Sequence, residues 1–159
     1  MELVNVLTYE TLLLAESQCI NAQDAIVVRL LLEGIEVHEI VYLKADSLDL
    51  ESRTLTITDS YGIKRRQGVS PRTVQMYKRA LLQNQYIADQ RRSNLKDNGY
   101  LIKATLNDYI AHESMIQEMD SVILRTIYRR FRALSEKLEL PELAYLTTLK
   151  LELNHVVIA

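Results

Sequence analysis

Three glutamates recur at intervals of three in the stretch LLEGIEVHEIVYL (residues 31–43): Glu33, Glu36 and Glu39, with Gly34 after the first. Residues three apart share a helix face. Glu36 and Glu39 would open a short helix, where acids favour the positive end of the macrodipole. A second set of residues is cationic: Lys64-Arg65-Arg66, Arg72, Lys78-Arg79, Arg91-Arg92 and the trio Arg125, Arg129 and Arg132. One such group alone is ordinarily a solvated face, but clusters of Lys and Arg are also what phosphate contacts are made of. The other candidates for chemistry are weaker. His38, His112 and His155 share no metal-ligand spacing with one another or with Cys19, so no metal and no cofactor are expected. The nine tyrosines read as packing, since none stands beside a base in a nucleophile arrangement. Cys19, in an apolar helical segment, reads as buried filler.

The elements that would position these residues can be read from periodicity and punctuation. Thr8 is an N-cap for a helix over about 8–18, with Thr11 at the capping-box position. A second helix starts near Asn21 and ends at Gly34; its AIVVRLLL is apolar nearly all round, which places it in the core. A third helix should run over about 37–44. TLTIT alternates and is β-branched, DSYG is a turn, and IKRRQGV returns as the second strand of a hairpin. Ser70 and Pro71 open a helix carrying Val74, Tyr77, Leu81 and Leu82. SNLKDNGY reads as a loop. Over 119–138, Ile123, Ile127, Phe131, Leu134 and Leu138 form one stripe, and Arg125, Arg129, Arg132 and Glu136 the opposite one. Pro141 ends a connection, and a last helix would run on from Leu146. The expected fold class is mainly α with one small β-hairpin, in a single domain.

Composition narrows the partners. With 159 residues the chain can bury a real core. A net charge of −2 argues against indiscriminate nucleic-acid binding while leaving room for a local basic face. A lone cysteine fits a reducing cytoplasm. No basic, apolar leader is legible, and the longest apolar run is too short to span a membrane.

The order of parts resembles the catalytic domain of the tyrosine recombinase (phage integrase) family. LTYE (7–10) is similar to the family's LT-x-E opening. EGIEVHEIVYL (33–43) is similar to its TG-L-R-I-S-E-L-x-x-L box, and SLDLESRTLTI (47–57) to the run through D-I-D-L into a hairpin. IYRRFRALSEKLELPEL (127–143) looks like the helix and loop before the second box. The resemblance covers nearly the whole chain. In that family a tyrosine attacks a DNA phosphate, and two arginines, a lysine and histidine-type residues stabilise the charge that builds on the phosphate oxygens.

Carried over residue by residue, the resemblance implies a degenerate site. The first arginine lands on Glu36, and the acid three further on is kept as Glu39. The hairpin lysine lands on Ser60, with Lys64 across the turn. The second box, His-x-x-Arg, aligns with Thr147 to Lys150, losing the histidine and turning the arginine into Lys150. No tyrosine follows at the nucleophile's distance. A glutamate in place of a phosphate-binding arginine repels the substrate. The expectation is therefore an inactive recombinase-like domain, not an enzyme, that binds double-stranded DNA. The expected contacts are Lys64, Arg65, Arg66, Arg72, Lys78, Arg79, Arg125, Arg129 and Arg132. The expected role is transcriptional control, such as repression, in a temperate phage or mobile element. Self-association or a protein partner stays open, as do two other readings: a fragment of an active recombinase, lacking an N-terminal core-binding domain and the nucleophile segment, and a protein-interaction module.

Overall fold

The computed structural model describes residues 6–111, 119–145 and 150–152. The chain opens with a short strand, β1 (Val6–Thr8), and two helices, α1 (Tyr9–Gln18) and α2 (Ala22–Leu32). Thr8 caps α1, its hydroxyl accepting the Thr11 N–H at 3.1 Å. Nearly every position of α2 is buried, as its apolar sequence requires. The helix ends as Gly34 enters the left-handed region at φ 86°. Gly34 N–H bonds back to Leu31 O and Ile35 N–H to Leu30 O, both at 3.0 Å. These two bonds form a Schellman ending, a conformation that a side chain at position 34 would disfavour.

A single turn, α3 (Val37–Ile40), follows. It stops four residues before the expected Lys44, because Tyr42 and Leu43 bond three residues back instead of four. Next come β2 (Leu48–Asp49), β3 (Thr54–Asp59) and β4 (Gly62–Gly68), one antiparallel sheet in the order β2-β3-β4. Ile57 pairs with Arg65 and Thr58 with Ile63, which leaves Lys64 as the extra residue of a β-bulge. Then α4 (Pro71–Leu82) begins at Ser70, whose hydroxyl accepts Thr73 N–H at 3.2 Å. Thr73, Val74, Tyr77 and Ala80 face inward. Leu82, on the final turn, is 80% exposed.

A second hairpin, β5 (Gln85–Ala88) and β6 (Arg91–Lys96), replaces the expected loop over SNLK. With β7 (Ala104–Thr105) it makes an antiparallel sheet β5-β6-β7. Two helices follow, α5 (Leu106–Ala111) and α6 (Met119–Lys137). The stripe on α6 is as expected: Ile123, Ile127, Phe131 and Leu134 are buried. The expected last helix is corrected at Lys150–Glu152, which form β8, parallel to β1. Residues 146–149 and 153–159 lie outside the described residues, Thr147 among them. The molecule is mainly α with small sheets, and no described helix is long and apolar enough to cross a membrane.

Gln23 holds the core together across the sequence. Its Nε2 donates to Ala80 O and Leu101 O, both at 2.9 Å, and its Oε1 accepts Lys103 N–H at 2.7 Å. Lys103 Nζ in turn donates to Leu81 O at 2.6 Å and Gln83 O at 3.0 Å. A buried ammonium thus satisfies the carbonyls at the negative end of α4.

Candidate nucleic-acid interface

The three glutamates have three different environments. Glu33 turns to the start of α4: its Oε2 accepts the Thr73 hydroxyl at 2.5 Å and Ser70 N–H at 3.2 Å. Glu36 stands at the N-cap of α3 with its carboxylate 63% exposed, 3.2 Å from His38 Nε2. Glu39 is buried. Its Oε1 reaches back to accept Glu36 N–H at 3.0 Å, half of a capping box.

Glu39 also collects two cations from the hairpin. Arg65 donates from NH1 to Oε2 at 2.6 Å and from NH2 to Oε1 at 3.3 Å, and Lys64 Nζ lies 2.8 Å from Oε2. In a regular strand, neighbours point to opposite faces. The bulge at Lys64 lets two consecutive side chains converge on one carboxylate. Burial alone would raise the Glu39 pKa. The hydrogen bonds from Arg65, Lys64 and the Glu36 backbone outweigh it and hold the group down at about 2. Two cations from β4, Lys64 and Arg65, thus stand at the start of α3 beside Glu39.

The remaining predicted contacts divide by whether an acid already holds them. Arg72 shares Glu16 with Arg29: Arg29 bonds it at 2.6 and 2.7 Å, and Arg72 at 3.1 Å. Arg129 pairs with Asp108. Arg66, Lys78, Arg79, Arg125 and Arg132 are exposed, with no carboxylate partner among the described residues. Arg72, Gln75, Lys78 and Arg79 form the outward face of α4, and Arg125, Arg129 and Arg132 the outward face of α6. Ser60 sits exposed in the β3–β4 turn, and Lys150 lies in β8 opposite Val6. The placement of Lys150 in a strand corrects its expected place in a helix.

Glu36, His38 and Glu39 bring potential ligand atoms within 4.8 Å of one another. Both oxygens of Glu39 are already engaged by four N–H groups, three of them cationic, and a metal would have to displace these. Sequence reasoning missed the buried charges Glu16, Asp24, Lys103 and Arg130. Arg130 lies within YRRFR, where nothing local marks it off from its exposed neighbours.

Comparison with known proteins gives one family. The family model described as MrpR, C-terminal catalytic domain, matches residues 6–152. Among solved structures, the chain is similar to the Tn1549 transposon integrase (residues 82–397) in complex with circular intermediate DNA, with 20% identity and a TM-score of 0.39. The match covers 92% of this chain and 57% of that one. No curated protein matches.

Proposed function

Since the chain belongs to the family of the MrpR C-terminal catalytic domain, a tyrosine-recombinase-like domain, we propose that it binds double-stranded DNA without cleaving it and controls transcription. The role that fits best is repression in a temperate phage or mobile element, because occupying a promoter needs contacts and no strand cleavage. The reading rests on Glu36, an exposed carboxylate at the position to which the resemblance assigns the first arginine of the recombinase box. A negative charge there opposes a phosphate by about 1 kcal/mol in a solvent-like dielectric, where an arginine would attract it. The outward face of α4 supports the binding half of the proposal, since Lys78 and Arg79 have no acid to neutralise them among the described residues.

A second reading, a piece of an active recombinase, is favoured by the convergence of Lys64 and Arg65 on Glu39, which keeps cations at the box. Two measurements decide. In a mobility-shift titration at low and moderate salt, the protein should retard duplex DNA with a steep salt dependence. No retardation at low salt would move the protein-interaction reading ahead. Incubation with nicked suicide substrates followed by denaturing gels should show free protein only. A reproducible covalent adduct would establish cleavage and end the regulator reading.

A further inference from the structure

A cleft of about 460 Å³ opens between the start of α2, β5 and α6, away from α4 and from the box at Glu39. Its size is that of a small-molecule site. Two charged side chains in its wall are almost fully buried: Asp24 is 1% exposed and Arg130 3%. Asp24 accepts the Tyr86 hydroxyl at 2.6 Å through Oδ2. Arg130 donates to Lys103 O at 2.6 Å, and its guanidinium lies 4.4 Å from the centre of the Tyr86 ring. Arg130 NH1 also reaches Gln23 Oε1 at 3.5 Å, so that one polar atom of each side chain is left over. Asp24 Oδ1 and Arg130 Nε are shielded from solvent and, among the described residues, have no partner at hydrogen-bond geometry. Folded proteins rarely leave such groups unpaired, so an acceptor and a donor stranded beside one cleft call for an explanation.

We propose that this cleft binds a small molecule presenting an N–H donor beside an oxygen acceptor, the N–H to Asp24 and the oxygen to Arg130. Tyr86 touches both charged groups and is itself only half-buried, so the ligand reaches them by turning its ring aside. Ile20, Ile87 and Leu134 supply an apolar wall for the rest of the molecule. The rim carries Arg129 and Lys137 as well as Asp89 and Glu136, so selection rests on the hydrogen-bond pattern and not on net charge. Two kinds of molecule carry that pattern: a free α-amino acid, with ammonium beside carboxylate, and a purine lactam, with ring N–H beside carbonyl.

The test uses the whole chain and two probes, L-leucine and guanosine monophosphate, read by thermal melting and by titration calorimetry. At about 100-fold over the dissociation constant, a true ligand raises the melting temperature by roughly 5 °C or more. Two variants locate the effect. Asp24→Asn keeps an oxygen for Tyr86 and puts an NH2 where the acceptor was. Ala133→Trp fills the cleft from the exposed side of α6 without touching the buried pair. The expected result is a saturable, one-to-one effect of at least one probe, lost in Ala133→Trp and, where that variant folds, in Asp24→Asn. A response to leucine alone assigns the amino acid, to the nucleotide alone the purine, and to both the shared pattern. Silence with both probes, or a response that survives Ala133→Trp, overturns the proposal and leaves a bound water as the partner of the two atoms.

Discussion

Replacing Glu39 by glutamine keeps the shape of the side chain and removes the charge that Lys64 and Arg65 share. The size of the effect follows from the carboxyl's titration. Its pKa stands at about 2 in the folded protein against an ordinary 4.5. A gap of about 2.5 pH units at 1.36 kcal/mol each is about 3 kcal/mol. Arg65 and Lys64 are 34% and 41% exposed, so screening trims this to about 2–3 kcal/mol. Because the folded pKa is depressed, the contribution is complete above the unfolded value and is lost as pH falls from about 5 towards 2. Urea unfolding followed by circular dichroism, on both proteins at pH 7 and at steps down to pH 3, isolates the term. The other carboxylates titrate alike in both proteins and cancel in the difference. The expected difference is about 2–3 kcal/mol at pH 7, or roughly 5–10 °C in melting temperature, narrowing steadily below pH 5. A difference that stays constant from pH 7 to pH 3 would mean that Glu39 acts through shape and not through charge, and the ion-pair account would fail.

Four further outcomes are expected. Changing Arg66, Lys78 and Arg79 together to alanine should lower the log–log salt slope of DNA binding by about 0.9 for each phosphate that is no longer neutralised, whereas Arg72→Ala, already held by Glu16, should lower it less; an unchanged triple mutant would make that face mere solvated surface. Glu36→Arg should tighten binding to any duplex by about 2 kcal/mol, roughly thirtyfold, with Glu51→Arg as the net-charge control; equal gains from both would mean that the box does not face DNA. Lys103→Met should cost about 1–3 kcal/mol in urea unfolding, because two carbonyls at the end of α4 lose their donor, and a neutral result would show that water replaces the ammonium. The Cys19 thiol is pushed up to about 12 by burial and by the nearby Asp24 and Glu16 carboxylates, so iodoacetamide at pH 8 should label it at least a hundredfold more slowly than a free thiol; equal rates would contradict the burial.

The first half of the fold is legible because its signals are local. Thr8 and Ser70 cap the helices that follow them, and Gly34 ends a buried helix by a left-handed turn that glycine takes without the strain a side chain would bring. The β3–β4 hairpin shows because β3 buries alternate residues. The second hairpin does not show, since QYIA is only four residues long, RRSNLK is largely polar, and neither strand has a fully buried position. Its turn takes a positive φ at Asp89 and not at a glycine, which removes the usual signal. The box at Glu39 is half legible. Its glutamates stand out, but which cation meets them depends on one extra residue in a strand 25 positions on, and no periodicity reports a bulge. Arg130 is the harder case: its burial is decided by Tyr86 and Lys103, from elements far away in the chain.

Gln23 also fixes an order of events during synthesis. Its side chain bonds Ala80 and Leu101, 57 and 78 residues further on, and accepts from Lys103, 80 residues on. A ribosome adding 5–20 residues per second takes about 4–16 s to make that stretch. During this interval α2, apolar on nearly every side, is complete and can pack on α1, but it lacks the covering faces of α4 and α6 and the partners of its Gln23 amide. The nascent chain must therefore hold part of its most adhesive segment in the open before the helices that cover it exist. Its hazard of misassociation is concentrated in those seconds, when a chaperone that grips extended apolar chain would matter most.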